Sequence, residues 1–118
     1  MANELSITAK LRFSKGGAKV SKVLSFNDDV TGDSFISAVQ SIGTVEEELA
    51  QGADLGTPGW VWVKNLDSDN YVEFGATTGV YTIKIKAGKA NLWYHDSATI
   101  YAKANTAAVL VDYCIVEV

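Results

Sequence analysis

The feature that most constrains the fold is a period-two alternation of apolar and polar residues in short segments. From Leu5 to Phe13 the odd-numbered residues are apolar and the even-numbered ones are polar or charged. Successive side chains of a strand point to opposite faces, so this pattern predicts a strand with one buried face. The pair Gly16-Gly17 follows and predicts a hairpin into a second strand over Val20–Phe26.

Short β-rich segments separated by Gly, Asn and Asp recur along the rest of the chain. The further predicted strands are residues 35–42, 60–63, 71–74, 81–87, 90–95, 98–105 and 107–118. Strands of this length and spacing are typical of sandwiches and jelly rolls. The sequence therefore predicts an all-β fold, an antiparallel β-sandwich of jelly-roll type. The length of 118 residues predicts a single domain over residues 1–118.

One segment favours a helix over a strand. Thr44 and Glu47 have the spacing of a capping box, and the acidic run at residues 46–48 suits the N-terminus of a helix. Gly52 leaves room for at most about two turns. We therefore predict one short helical turn over Thr44–Gly52.

The charge balance argues against two classes of partner. The chain has a formal net charge of −4 and is 47% hydrophobic and 20% charged, which is the composition of a folded domain. A nucleic-acid partner needs a basic face that displaces counterions from phosphates, and an anionic membrane surface attracts the same kind of face. The sequence therefore predicts no nucleic-acid partner and no membrane partner.

Candidate catalytic and metal-binding residues are few. His95 is the single histidine and lies beside Asp96, but neighbouring strand residues point to opposite faces and are badly placed to form an acid–base pair. With one His and one Cys, zinc sites of the usual spacing are excluded. We predict His95 near a strand end, Cys114 as a buried core thiol, and neither an enzyme activity nor a cofactor.

Two acidic loops raise the alternative of a calcium site. Their side chains are Asp28, Asp29 and Asp33 in the first loop, and Asp67, Asp69 and Asn70 in the second. Calcium takes about six to eight oxygen ligands, and an EF-hand loop needs Gly at its sixth position, where the second loop has Val72. Asp and Asn also form turns by accepting hydrogen bonds from nearby backbone. We predict plain turns at both loops and no metal site.

Two strands are apolar on both faces, whereas a sandwich strand normally has one wet face. Trp60 and Trp62 share one face of their strand, and Val61 and Val63 share the other. In the C-terminal strand one face has Val109, Val111, Tyr113 and Ile115, and the other has Leu110, Cys114, Val116 and Val118. Three interpretations of the second face stay open: cover by a loop or by the Thr44 segment, a subunit interface, in which Trp and Tyr are enriched, and an aromatic platform for a sugar. The interface interpretation selects Trp60, Trp62, Val116 and Val118 as candidate interface residues.

Four segments of the second half carry a family resemblance: Gly56–Asp67, Asn70–Gly75, Ile83–Gly88 and Ala98–Ala108. They resemble a pattern common in small structural proteins of tailed bacteriophages. The resemblance covers roughly Gly43–Val118, and the N-terminal third matches only in its β character.

The resemblance implies a jelly-roll-like virion component of the head decoration (cement) type. Such a protein is made in the host cytoplasm, is located in the virion and stabilises the head by bridging major capsid subunits. The expected partners are therefore the major capsid protein and further copies of the chain, with a trimer as the first choice. The rival expectations are a tail, baseplate or fibre component that binds a receptor glycan, and a small hydrolase.

Overall fold

The computed structural model describes residues 4–95 and 97–118, and in those residues it contains ten strands and no helix. The strands are β1 (Leu5–Lys15), β2 (Ala18–Asp28), β3 (Phe35–Ile42), β4 (Glu47–Glu48), β5 (Pro58–Asn65), β6 (Val72–Gly75), β7 (Ile83–Ile85), β8 (Ala90–Tyr94), β9 (Tyr101–Ala104) and β10 (Val109–Glu117). Each strand predicted from the sequence is present, with its ends shifted by no more than three residues. The all-β, antiparallel prediction is confirmed.

Contacts along the chain separate it into two compact units, one ending at Thr31 and the other running from Gly32 to Val118. The first unit is the hairpin of β1 and β2, which pair antiparallel from Leu5 opposite Asp28 to Lys15 opposite Ala18. A single domain over residues 1–118 requires that both units unfold cooperatively. The single-domain assignment therefore stays a prediction.

A two-residue turn closes this hairpin at Gly16 and Gly17, whose φ angles are 56° and 88°. A positive φ at both central positions is the type I′ geometry that matches the twist of the flanking strands, and glycine adopts it without a steric penalty. The predicted hairpin is confirmed.

The second unit contains two four-stranded antiparallel sheets. Their strand orders are β3-β10-β5-β8 and β4-β9-β6-β7. Both sheets contribute to one core, and the Phe74 and Trp93 rings, from opposite sheets, lie 5.7 Å apart. The buried core consists of Ile42, Leu49, Val61, Val63, Val72, Phe74, Ile85, Ile100, Ala102, Ala104, Val109, Val111, Tyr113 and Ile115. The sandwich is therefore formed by residues 32–118.

The predicted helical turn over Thr44–Gly52 is wrong. The segment is extended at β4, which pairs with β9, and the Leu49 amide donates a hydrogen bond to the Ile100 carbonyl, 2.8 Å away. The Glu47 carboxylate accepts hydrogen bonds from the Gly43 amide and the Gln40 side chain, at 2.9 and 3.0 Å. Sheet pairing and the burial of Leu49 outweigh the weak local preference for a helix in so short a segment.

Candidate interaction surface

One side of the β3-β10-β5-β8 sheet forms the core, and its other side carries apolar residues that the sandwich leaves partly exposed. On β5, Val61 and Val63 are fully buried while Trp62 is 36% exposed. On β3, Phe35 and Val39 are 68% and 54% exposed. We term this second side the outer face, and its apolar members are Phe35, Val39, Trp60, Trp62, Leu92, Tyr94, Leu110, Cys114 and Val116.

Strand register places these side chains in rows across the sheet. One row runs Ser37, Cys114, Trp62 and Leu92, from β3 to β8. In the next row outward, Val116 lies opposite Phe35, and Trp60 lies opposite Tyr94. The rings of Trp60 and Tyr94 meet edge to face with their centroids 5.4 Å apart. These two rows form an apolar surface, because cross-strand neighbours lie within about 5 Å of each other. The row on the other side of Cys114 and Trp62 contains a charged pair, Asp112 opposite Lys64.

Three of the four candidate interface residues are placed together by this sheet. Trp60, Trp62 and Val116 all lie on the outer face, on the adjacent strands β5 and β10. Val118 follows β10, where its amide donates to the Thr57 carbonyl and its carbonyl accepts from the Gly32 amide. The Thr44 segment does not cover the outer face, because β4 belongs to the other sheet and Leu49 lies in the core.

The outer face also contains members that the sequence did not single out, namely Phe35, Val39, Leu92 and Tyr94. The alternation of apolar and polar residues in Phe35–Ile42 is ambiguous and does not define which face of β3 is buried. Only the pairing of β3 with β10, and of β8 with β5, shows that these side chains share a face with Trp62.

Cys114 is also on this side, and its prediction as a buried core thiol is wrong. The side chain is half-buried on the outer face, between the inward-facing Tyr113 and Ile115. Partial burial, and to a lesser extent the Asp112 carboxylate, raise the pKa of the Cys114 thiol. The thiol is therefore held in its protonated, weakly nucleophilic form.

Glu117 fixes the chain segments beside the outer face. Its carboxylate accepts backbone hydrogen bonds from Gly56 at 2.6 Å, from Asp33 at 2.9 Å and from Ser34 at 3.0 Å. These bonds, that of Gly56 first, lower the pKa of the Glu117 carboxyl. A Cβ on Gly32 would lie 1.9 Å from the same carboxylate, so a larger residue there would displace the Glu117 side chain. The end of β10 is thereby tied to the segments that precede β3 and β5.

His95 has a structural role. It is 5% exposed and directly follows β8, so its predicted position near a strand end is confirmed. The indole N–H of Trp93 donates to His95 Nδ1 at 3.1 Å, and His95 Nε2 lies 2.8 Å from the Thr99 carbonyl. A neutral ring with its proton on Nε2 satisfies both contacts. Asp96, the other half of the pair considered above, lies outside the described residues.

The second acidic loop is a hydrogen-bonded turn, as predicted. Asp67 Oδ2 accepts from the amides of Asn70 and Asp69, at 2.6 and 3.0 Å, and these bonds lower the pKa of Asp67. The first loop contains a similar short contact, from the Asp29 amide to Asp28 Oδ1 at 3.0 Å. Across residues 4–95 and 97–118, no group of three His, Cys, Asp or Glu side chains is arranged to hold a metal ion.

The hairpin unit exposes a second apolar surface. Leu11 and Phe13 on β1 are 64% and 51% exposed, and Val20 and Leu24 on β2 are 43% and 53% exposed. The register pairs Phe13 with Val20, so these side chains lie on one side of the ribbon, which we term the hairpin's apolar face. The alternation over Leu5–Phe13 correctly predicts a strand. The predicted burial of the apolar face of this strand is wrong after Ile7, because the residues of β1 that follow are exposed.

Fold and surface together define an antiparallel all-β sandwich with an apolar outer face, preceded by a long amphipathic hairpin. Comparison of the chain with protein-family models, with curated proteins and with solved structures finds no match. In the part of the chain that the structure describes, no helix is long and apolar enough to cross a membrane.

Proposed function

We propose that this chain is a head decoration protein of a tailed bacteriophage, made in the host cytoplasm and located in the virion. It stabilises the head by bridging neighbouring major capsid subunits, and it acts through binding and not through catalysis. The outer face, with Trp60, Trp62 and Val116, is buried between copies of this chain, and the self-associated copies bridge the capsid subunits.

The observation that carries the proposal is the exposed, mainly apolar outer face of the β3-β10-β5-β8 sheet. Soluble proteins rarely expose contiguous apolar patches of this kind unless the patch is an interaction site. Trp and Tyr are enriched in the anchors of such interfaces, and Trp62 and Tyr94 are 36% and 46% exposed on this face. Their exposure leaves apolar area that a neighbouring subunit can remove from water.

The strand pairing supports the jelly-roll form of the sandwich. The first strand of the sandwich pairs with its last, and the pairing continues inward: β3 with β10, β4 with β9, β5 with β8, and β6 with β7. This nested pairing is that of one long hairpin folded over into two sheets, which is how a jelly roll is wound. Jelly rolls recur in viral capsid proteins and in lectins, so the fold favours the virion proposal without requiring it.

Sedimentation with pre-assembled capsids tests the proposal. Purified wild-type protein is expected to pellet with capsids and to raise their melting temperature. Trp62→Ala removes a central aromatic of the outer face and is expected to weaken binding by about thirtyfold, since truncating an interface anchor costs about 2 kcal/mol or more. Asp69→Asn alters an exposed turn residue and serves as the control, with binding unchanged. Wild-type protein that stays in the supernatant would refute the capsid role.

A receptor-binding component of the tail, baseplate or fibre is the second candidate, because lectins also use jelly rolls and the exposed rings of Trp62 and Tyr94 offer stacking surfaces. This second candidate predicts different experimental results. Glycan binding would quench Trp fluorescence in the free protein, and Trp62→Ala would abolish binding to the cell surface while leaving assembly intact.

A further inference from the structure

The hairpin and the sandwich have opposite charge. Residues 8–25, the part of the hairpin around its turn, contain five Lys or Arg and no Asp or Glu. Residues 32–118 contain five Lys and eleven Asp or Glu, which gives the sandwich a formal net charge of −6. Complementary net charges of this size attract the hairpin of one copy to the sandwich of another over distances of about a Debye length and suppress contacts between like units.

The same part of the hairpin exposes apolar side chains. Leu11, Phe13, Val20 and Leu24 lie on the hairpin's apolar face, and each is more than two-fifths exposed. Lys10 and Arg12 on β1 alternate with these residues and point to the opposite side of the ribbon. An isolated two-stranded ribbon is at best marginally stable in water, so this one gains stability when its apolar face is covered.

We propose that residues 8–25 of one copy dock, through the hairpin's apolar face, on the outer face of the sandwich of a second copy. Both surfaces are extended and mainly apolar, with Lys22 on the hairpin's apolar face and Asp112 and Lys64 on the outer face. A two-stranded ribbon is about 10 Å wide, and the four strands beneath the outer face span about 19 Å, so the ribbon fits on the sheet. The opposite net charges of hairpin and sandwich favour this pairing over hairpin against hairpin or sheet against sheet.

This contact joins two different surfaces, so each copy offers both a hairpin and an outer face. A contact of that kind repeats from one copy to the next, and the assembly ends only when the copies close into a ring. Three copies in a ring give the trimer expected of a decoration protein. The inference deepens the self-association part of the proposed function, but it needs no capsid, and a failed capsid-binding experiment leaves it standing.

Sedimentation equilibrium of the purified protein, with no capsid present, tests the docking by matched pairs of variants. Leu11→Ser alters the hairpin's apolar face, and its control is Val23→Ser, because Val23 is 65% exposed on the opposite side of the same ribbon. Leu92→Ser alters the outer face, and its control is Val45→Ser, in the exposed segment before β4. Far-ultraviolet circular dichroism verifies that each variant retains the wild-type fold.

Both Leu11→Ser and Leu92→Ser are expected to weaken association about thirtyfold, the effect of removing an interface anchor, while both controls stay within about twofold of wild type. A mixture of the two weakened variants is expected to form a heterodimer through one intact contact, without closing into a ring. An intact hairpin on the Leu92→Ser chain can then meet an intact outer face on the Leu11→Ser chain. Fluorescence energy transfer between differently labelled variants measures this mixed complex.

Each other outcome overturns the proposal. An effect of Leu11→Ser alone would mean that hairpin meets hairpin, and an effect of Leu92→Ser alone would mean that sheet meets sheet. Two weakened variants that do not associate on mixing would show that the two surfaces do not bind each other. A wild-type protein that remains monomeric at its highest soluble concentration would show that the second copy is not the occupant.

Discussion

Asn65 offers a test of how the two sheets of the sandwich are joined. This residue ends β5, and its side chain is fully buried. Its Nδ2 donates to the Asn70 carbonyl at 2.9 Å and to the Ile85 carbonyl at 3.0 Å, and its Oδ1 accepts from the Asp67 amide at 2.8 Å. Because Ile85 lies on β7, one amide side chain links a strand of the first sheet, a strand of the second and the turn between β5 and β6.

The cost of Asn65→Ala follows from these three bonds. Each contributes about 1 kcal/mol net, and the buried Ile85 carbonyl is left without this donor, which brings the expected loss to about 3–5 kcal/mol. Domains of this size have an unfolding free energy of about 5–15 kcal/mol, so the variant should lie at the edge of stability. Asn65→Asp should be worse at neutral pH, because it places a carboxylate oxygen against two carbonyl oxygens.

Urea denaturation followed by Trp fluorescence gives the measurement. Asn91→Ala, at an exposed asparagine on β8, is the matched control and should change the unfolding free energy by no more than about 0.5 kcal/mol. A loss below about 1 kcal/mol for Asn65→Ala would refute the view that these bonds hold the sheets and the turn together.

Three further changes have definite expected outcomes. The lowered pKa of Glu117 means that its contribution to stability is complete above the carboxyl's ordinary value of 4.5 and is lost as the pH falls through the folded-state pKa. Glu117→Gln should therefore destabilise at about pH 6 and much less at about pH 3, in parallel urea titrations; an equal effect at both values would contradict the carboxylate's role. Gly75→Ala places a Cβ 1.9 Å from the Val80 carbonyl oxygen and should lower the melting temperature by several degrees, since backbone must move; an unchanged melting curve would show that the contact relaxes freely. Treatment with a chelator should leave the melting temperature unchanged, and a rise of many degrees on adding calcium would show that the acidic loops bind it.

The strands could be predicted from the sequence because their signals are local. The alternation over Leu5–Phe13 and the Gly16-Gly17 turn specify the hairpin, and β3 runs over Phe35–Ile42 as predicted. The Thr44–Gly52 segment was mispredicted because its capping pattern is a weak local preference, while the pairing of β4 with β9 depends on residues more than fifty positions away.

The candidate site could be predicted only in part. Alternation placed Trp60 and Trp62 opposite Val61 and Val63, but it cannot say which strands lie beside β5, so the contribution of β3 and β8 to the outer face was missed. Glu117 was missed as well, although it left a signal: it is a charged residue at an inward-facing position of β10. A carboxylate there requires several donors, and the amides of the two loops supply them.

The central claim is that this chain coats the head of a virion, and its copy number in purified virions tests that claim most directly. Quantitative mass spectrometry of intact particles, and of heads and tails separated after disruption, gives the ratio of this chain to the major capsid protein. The proposed function predicts that the chain fractionates with heads at a fixed stoichiometric ratio to the capsid subunit. Its absence from the particle, or its recovery with tails alone, would contradict the account.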